Sequence, residues 1–292
     1  MEERGPLVEV YRLLGEDVSR SLSPGMMNAA FRERSIDARY EAVSVRREEF
    51  RETFLAQRAE ARGFNLTIPF KSDVLPLLDS LDEVSARIRA VNVVAAGAAG
   101  GRWEGHNTDV DGITVPLREH GVGRVGRALL LGAGGAARAF CEAMSQLGCS
   151  GVTVAVRDRA RGDRFVAEMA ATFPRVGFGA VSFEGAGEAA RGSDLVFNAT
   201  PLGSRGLALP EALKRVIYGH VTVFDAVYRP MKTELLRLAE EGGSPVIYGY
   251  EMLLNQGTRA FEIWTGRPAP RETMESSLRG QLGAGGGGGE AS

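Results

Sequence analysis

Short apolar runs that alternate with amphipathic stretches divide the second half of the chain into strands and helices. Such runs suit strands buried on both faces, as in a parallel sheet. They lie at residues 128–131, 152–156, 176–181, 194–198, 221–225 and 245–248, and helical stretches lie at 159–173 and 231–241. Repeated strand–helix units with short punctuation predict a Rossmann doubly wound parallel sheet over residues 116–249.

The first half alternates in the same way but has no glycine-rich turn. Its pattern predicts strands at residues 8–14, 38–44 and 63–68, helices at 25–34, 48–59 and 73–81, a hairpin from 90–95 and 102–105, and a connecting helix at 109–120. These elements predict a first α/β domain over residues 1–115, and therefore a two-domain α/β protein.

The C-terminal part departs from both patterns. Residues 250–280 begin with an amphipathic helix that no sheet strand follows, so we expect this helix to pack back onto the first domain. Residues 283–292 include six glycines and cannot bury apolar area. We expect that tail to be disordered.

Composition and charge narrow the class of protein. The net charge of −2 argues against a nucleic-acid or anionic-membrane partner, and no apolar run approaches the length that spans a bilayer. Cys141 and Cys149 lack metal-like or redox spacing and are expected to be buried, inert thiols in a reducing compartment. The three histidines have no metal-ligand spacing, so we assign no metal. The sequence is that of a cytoplasmic protein.

The turn after the strand at 128–131 is the strongest local signal. Gly132 and Gly134 fit the first two glycines of the dinucleotide fingerprint, and Ala137 takes the third, small-residue place. A glycine turn that merely joins a strand to a helix remains the alternative. The preceding apolar strand and the following helix favour a nucleotide site.

Polar side chains collect in loops of the first domain. Asn65 and Thr67 alternate on one strand and precede Lys71, while Ser21 and Ser23 lie together before a helix. Such hydroxyl, amide and amine groups suit a small polyhydroxylated acid. Structural roles also fit: Ser23 or Asp109 as a helix N-cap, Lys71 as a surface lysine, Asn65 and Asn92 as turn residues.

Seven ordered motifs together resemble the shikimate dehydrogenase family, which includes shikimate and quinate/shikimate dehydrogenases. The matching residues are Ser21, Ser23, Pro24 and Asn28; Asn65, Thr67, Pro69 and Lys71; Ala90, Val91 and Asn92; Gly105, Asn107, Thr108, Asp109 and Gly112; Asn198 to Gly203; Asp225, Tyr228 and Pro230; and Gly249, Met252 and Gln256.

The resemblance implies an N-terminal substrate domain followed by a Rossmann domain, with roles for particular residues. Lys71 and Asp109 would be the catalytic pair. The substrate would be held by Ser21, Ser23, Thr67, Asn92, Tyr228 and Gln256. The cofactor would be held by Gly132, Ala133, Gly134, Gly135, Ala136, Arg157, Arg161 and Gly249. Arg20 and Met27 stand where the family usually has histidines, which changes the rim of the implied substrate site.

The residues after the second Rossmann strand bear on the cofactor. Arg157 and Arg161 fit the two arginines that pair with the 2′-phosphate of NADP, which is the cofactor we expect. Asp158 would repel that phosphate if it points inward, so NAD use stays open. The alternative is that these charges form a solvated helix start, with Asp158 as the N-cap.

The implied activity is the reversible NADPH-dependent reduction of 3-dehydroshikimate to shikimate, in the shikimate pathway to chorismate and the aromatic amino acids. An NAD-dependent quinate/shikimate or aminoshikimate dehydrogenase is the alternative within the same class. A catalytically idle, ligand-binding member of the family is the alternative from another class. The expected partner is the small-molecule substrate, with the chain as a monomer or homodimer.

Overall fold

A computed structural model of the protein describes residues 8–97, 101–204, 206–214 and 219–284. The chain divides into two compact units. The first unit runs to Thr108 and resumes at Gln256, and the second unit is Asp109–Asn255.

The strands within the described ranges are β1 (Glu9–Gly15), β2 (Ala38–Ser44), β3 (Ala61–Leu66), β4 (Ser80–Leu81), β5 (Val93–Ala96), β6 (Trp103–His106), β7 (Arg127–Leu131), β8 (Gly151–Val156), β9 (Gly177–Ser182), β10 (Leu195–Asn198), β11 (Thr222–Asp225) and β12 (Val246–Ile247). The α-helices are α1 (Ser23–Glu33), α2 (Phe50–Gln57), α3 (Glu83–Ile88), α4 (Asp109–Glu119), α5 (Gly135–Gln146), α6 (Arg159–Thr172), α7 (Ala186–Arg191), α8 (Glu211–Lys214), α9 (Glu234–Glu241), α10 (Gly249–Thr265) and α11 (Arg271–Ala284).

The sheet of the first unit is mixed. Its strand order is β2-β1-β3-β5-β6-β4, with β1 parallel to β2 and β3, and β5 antiparallel to β3 and β6. The antiparallel β5–β6 pair is the hairpin that the sequence predicted.

An aromatic cluster fills one part of the first unit's core. The rings of Phe50 and Phe70 stack with centroids 4.1 Å apart, and Phe64 packs between Phe54 and Trp103 at 5.0 and 5.5 Å. Burying a ring of this size stabilises the fold by roughly 1.5–3 kcal/mol. Phe70 therefore anchors the loop that follows β3.

The two C-terminal helices pack on other elements of the first unit. The ring of Trp264 in α10 lies tilted against that of Tyr11 with centroids 4.8 Å apart, and its indole N–H donates to the carbonyl of Val94 at 3.1 Å. Gly63 leaves room for this indole, because a Cβ there would collide with it. The α11 side chain of Gln281 donates to the carbonyl of Leu22 at 3.3 Å.

The sheet of the second unit is parallel throughout, in the order β12-β11-β10-β7-β8-β9. The strand order reverses at β7, which is the switch point of a doubly wound sheet. The predicted α/β fold class, with a Rossmann sheet in the second unit, is confirmed.

Some predicted elements were wrong. Residues 73–81 are not a helix, because they form a 3-10 turn at Leu75–Leu77 and then β4. Pro76 has no N–H to donate and disfavours an α-helix here, and the carboxylate of Asp79 accepts from the N–H of Trp103 at 2.7 Å. The sequence analysis also missed α3, α7 and α8.

The C-terminal prediction also needs correction. The helical part of residues 250–280 is divided into α10 and α11, because Gly266 adopts a φ of +63° and ends α10. Helix α11 continues to Ala284, so the first two residues of the predicted tail are helical. Residues 285–292, which complete that tail, lie outside the described residues.

Candidate functional site

The loop from Thr67 to Lys71 is held at both ends by the backbone. The N–H of Thr67 donates to the carbonyl of Leu14 at 3.0 Å, and the carbonyl of Lys71 accepts from Val91 at 2.8 Å. Between them, Phe70 is fully buried. Thr67 and Lys71 are partly buried, so a rigid loop holds a hydroxyl and an amine four residues apart.

A buried hydrogen-bond chain leads from β2 to the segment before β5. The hydroxyl of Tyr40 donates to Oδ1 of Asn65 at 2.7 Å, and Nδ2 of Asn65 donates to the carbonyl of Asn92 at 3.1 Å. All three residues are buried. Asn65 therefore has the structural role that was the alternative for it, and Tyr40 is a supporting residue that the sequence analysis missed.

Asn92 extends this chain to two more residues of the first unit. Its Nδ2 donates to the hydroxyl of Thr108 at 3.0 Å and reaches Oε1 of Gln256 at 3.5 Å. Its Oδ1 accepts from the N–H of Thr108 at 2.7 Å. The structure thus brings together Asn92 and Gln256, two residues separated by most of the chain. Asp109, the next residue after Thr108, begins α4 and is only 4% exposed.

The serines lie at the start of α1. Ser23 is the first residue of the helix and is buried, and its N–H donates to Oγ of Ser21 at 3.2 Å. Leu22 occupies the N-cap position, so the N-cap role suggested for Ser23 was wrong. Of the two residues that differ from the family's histidines, Met27 is buried in the core and Arg20 is exposed.

Asn28, by contrast, has a clear structural role. Its side-chain amide donates to the carbonyl of Tyr40 at 2.9 Å and accepts from the N–H of the same residue at 2.8 Å. This pair of bonds fixes α1 against β2.

In the second unit, the glycine turn lies between β7 and α5. Gly132 has a φ of +102°, and a Cβ at this position would lie 2.7 Å from Cγ2 of Thr200. Gly134 occupies the N-cap position of α5, and a Cβ there would meet nothing within 4 Å. Gly135 and Ala136 are the first residues of α5. The turn leaves open space in front of a helix N-terminus, as an anionic pyrophosphate requires.

After β8, Asp158 has the role that was its structural alternative, the N-cap of α6. Oδ1 of Asp158 accepts from the N–H of Arg161 at 3.2 Å, so this carboxylate is the N-cap of α6. The guanidinium of Arg161 donates to the carbonyl of Ala133 at 3.3 Å, beside the glycine turn. Arg157 is exposed.

Tyr228 and Gly249 lie near the loop that follows β11. Gly249 begins α10, and a Cβ there would collide with the carbonyl of Val227. The glycine is therefore required by close packing against the backbone of residue 227. Tyr228, the next residue, is partly buried.

A second buried network, to which the sequence analysis gave no role, lies at the ends of β10 and β11. Oδ1 of Asp225 accepts from Nδ2 of Asn198 at 2.9 Å and from the N–H of Val227 at 3.0 Å. Its Oδ2 accepts from the hydroxyl of Thr233 at 2.6 Å. Burial raises the pKa of Asp225 to about 6, although these three hydrogen bonds act in the opposite direction.

Comparisons with known proteins fit this geometry. A family model described as the shikimate dehydrogenase substrate binding domain matches residues 13–94, and one described as the shikimate 5'-dehydrogenase C-terminal domain matches residues 249–279. A shikimate dehydrogenase (NADP(+)) of Nitrosopumilus maritimus is 36% identical over 274 residues, covering 93% of this chain and 98% of the relative. The chain belongs to the shikimate dehydrogenase family.

Two solved structures of the family's fold extend the comparison. The Thermus thermophilus shikimate 5-dehydrogenase in complex with NADP(H) and shikimate has a TM-score of 0.78 at 33% identity, covering 94% of this chain and all of that one. A Corynebacterium glutamicum quinate dehydrogenase in complex with NAD has a TM-score of 0.84 at 27% identity, covering 93% and 99%.

Other candidate chemistry is limited in the part of the chain that the structure describes. No group of three or more His, Cys, Asp or Glu side chains there is arranged to hold a metal ion. Cys141 and Cys149 are buried as predicted, and burial raises the pKa of both thiols. Among the described helices, none is both long enough and apolar enough to cross a bilayer.

Proposed function

We propose that this family member catalyses the reversible NADPH-dependent reduction of 3-dehydroshikimate to shikimate. The observation that carries the proposal is the hydrogen-bonded set in the first unit, where Asn92 joins Gln256 and Thr108. These groups match the polar pattern expected for a polyhydroxylated acid. Relatives that this chain matches along nearly their whole length are shikimate dehydrogenases (NADP(+)).

The first unit supplies most of the proposed substrate contacts. The proposed ligands of the carboxylate and hydroxyls are Ser21, Ser23, Thr67, Asn92 and Gln256, with Tyr228 from the second unit. Support comes from the way in which Asn92 is held by three hydrogen bonds to Thr108 and Gln256, which fixes its amide orientation. A preorganised amide loses little conformational entropy when it binds a hydroxyl.

Lys71 and Asp109 are the proposed catalytic pair. NADPH, when bound, would supply the hydride that reduces the ketone carbon. Reduction leaves an alkoxide, and we assign to Nζ of Lys71 the donation of the proton that this oxygen needs. The ammonium also offsets the negative charge that develops on the oxygen. Asp109, which is buried at the start of α4, is the second proposed member of the pair.

The second unit fits a dinucleotide at its glycine turn. Gly132 to Ala136 are the proposed ligands of the pyrophosphate, with Gly249 near the nicotinamide and Arg157 and Arg161 at the adenosine 2′-phosphate. Capping by Asp158 supports NADP, because a carboxylate that accepts the N–H of Arg161 is engaged within its own helix. The contact of Arg161 with Ala133 keeps its guanidinium at the turn.

A two-by-two assay tests this function. Shikimate and quinate are each offered with NADP+ and NAD+ at equal concentrations, and formation of the reduced nicotinamide is followed by its absorbance. We expect the fastest turnover with shikimate and NADP+. Faster turnover of quinate with NAD+ would establish the second candidate, which the likeness to the quinate dehydrogenase structure in complex with NAD favours. Ligand binding without turnover in all four combinations would establish a catalytically idle member.

We also propose a cytoplasmic monomer or homodimer whose partner is the small-molecule substrate. Light scattering of the purified chain distinguishes the two assemblies, and a larger mass would contradict both.

A further inference from the structure

The buried carboxylate of Asp225 connects three separate segments of the second unit. It accepts hydrogen bonds from Asn198 at the end of β10, from Val227 in the loop after β11, and from Thr233 at the N-cap of α9. Asp225 itself is the last residue of β11 and is fully buried. Carboxyl ends of parallel strands are where ligands bind in open α/β sheets.

From Asn198 the connections continue to the glycine turn. Oδ1 of Asn198 accepts from the N–H of Thr200 at 3.0 Å and from its hydroxyl at 2.6 Å. The Thr200 methyl group is the atom that a Cβ at Gly132 would meet at 2.7 Å. The position of Thr200 is therefore set by Asn198, and it borders the turn directly.

From Val227 the connections continue to two other proposed ligands of this unit, Tyr228 and Gly249. Tyr228 is the next residue, and the carbonyl of Val227 lies where Gly249 has no side chain. The loop after β11 is thereby fixed by Asp225 on one side and by α10 on the other.

We propose that Asp225 is a positioning residue for the reaction. Its carboxylate holds the loop after β10 and the loop after β11 at one spacing, and so fixes Tyr228 relative to the glycine turn. It touches neither substrate nor cofactor in this role, and the part of the inference that concerns turnover rests on the proposed function. A displacement of about 1 Å in such a site can cost roughly a hundredfold in rate.

Asp194 offers a matched control in the same unit. Its Oδ2 accepts from the N–H groups of Gly126 and Arg127 at 2.8 and 2.9 Å, so Asp194→Ala also removes a carboxylate that accepts from two backbone donors. Asp194 directly precedes β10, whereas Asn198 ends it, so this control acts at the opposite end of the strand.

The test compares Asp225→Ala with Asp194→Ala in the full-length protein. We expect Asp225→Ala to lower kcat/KM for shikimate about thirtyfold, with a rise in KM and a fall in kcat, and Asp194→Ala to stay within about twofold. Asp225→Asn keeps an oxygen that accepts from Asn198 and Val227. Its kcat/KM is expected to lie within about fivefold of the wild-type value. Equal kinetics in the two alanine variants would overturn the proposal.

A second readout needs no turnover. In Asp225→Ala, the amides of Thr200, Leu202 and Val227 are expected to exchange with deuterium about tenfold faster, with no change in Asp194→Ala. Unchanged exchange would overturn the inference even if the enzyme works as proposed. Accelerated exchange in a protein that turns over neither substrate would instead contradict the proposed function alone.

If Asp225→Ala fails to fold, variants of Thr233 test the proposal instead. Thr233→Val removes one donor to the carboxylate, and Thr233→Ser keeps it. We expect Thr233→Val to accelerate exchange at Val227 about threefold and Thr233→Ser to leave it unchanged. Identical exchange in these two variants would overturn the proposal.

Discussion

The buried polar networks of the two units differ in charge. The first unit uses neutral groups, the hydroxyl of Tyr40 and the amides of Asn65 and Asn92, and each amide both donates and accepts. The second unit uses the carboxylate of Asp225, which only accepts. A carboxylate gathers several donors at one point, but its burial costs free energy that a neutral amide avoids. The stability that the second network contributes therefore depends on pH.

The proposed ligands differ in a related way. Those of the first unit are side chains such as Ser21, Thr67 and Lys71, each of which is removed by one substitution. Those of the second unit are largely backbone groups around Gly132, and a substitution disturbs them by adding a Cβ. Substitutions should therefore separate chemistry in the first unit from cofactor binding in the second.

The largest expected effect is the loss of the amine in the first unit. Lys71→Ala should lower kcat about 10²–10⁴-fold while changing the KM for shikimate far less, because a general acid acts in the transition state. Steady-state kinetics measures both constants. Lys232→Ala, which removes a surface ion pair with Glu240, is the control and should be near normal. Near-normal turnover of Lys71→Ala would remove this residue from the mechanism.

The next effect concerns pH and isolates the carboxylate of the second unit. Because its pKa is raised to about 6, Asp225 contributes stability that is fully present below about pH 4 and is lost as the pH rises through 6. The free energy of unfolding should fall by on the order of 3 kcal/mol across this window relative to Asp225→Asn. Urea titrations at several pH values measure it. If the stability of the protein relative to Asp225→Asn stays constant or rises with pH, the pKa of Asp225 is not raised.

An added methyl group tests the backbone site. Gly132→Ala forces a side chain into a φ of +102° and against Thr200, and should weaken NADP+ binding at least about tenfold. Gly148→Ala is the matched control, because Gly148 has a φ of +68° with nothing within 4 Å of the added Cβ. It should lose about 1–2 kcal/mol of stability and bind normally. Equal binding by both variants, measured by calorimetry, would argue against a cofactor at this turn.

The smallest expected effect tests the neutral network. Tyr40→Phe leaves Oδ1 of Asn65 without its 2.7 Å donor and should destabilise the protein by about 1–3 kcal/mol. The KM for shikimate should rise about threefold, because Asn65 donates a hydrogen bond to the carbonyl of Asn92. Tyr11→Phe, which loses only a bond to Glu9, should leave the KM unchanged. A KM that moves equally in both variants would exclude a specific role for Tyr40.

The sequence predicted what depends on neighbouring residues. The parallel strands and the glycine turn follow from local patterns of apolar residues and glycines, whereas the cap by Asp158 was only the alternative given for that carboxylate. Contacts between distant segments were missed, because Tyr40 meets Asn65 and Asn198 meets Asp225 only once the sheets have formed. The helix predicted at residues 73–81 was wrong although the local composition favours a helix. Pro76 and the hydrogen bond between Asp79 and Trp103 override that composition.

The space left by Gly63 has a spectroscopic consequence. It admits Trp264, and Trp103 lies in the aromatic cluster of the same unit, so the chain's two tryptophans both belong to the first unit. Indole emission therefore reports the melting of that unit alone, while far-ultraviolet dichroism sums the helices of both. Recorded side by side, the two signals give each unit its own melting curve without any label.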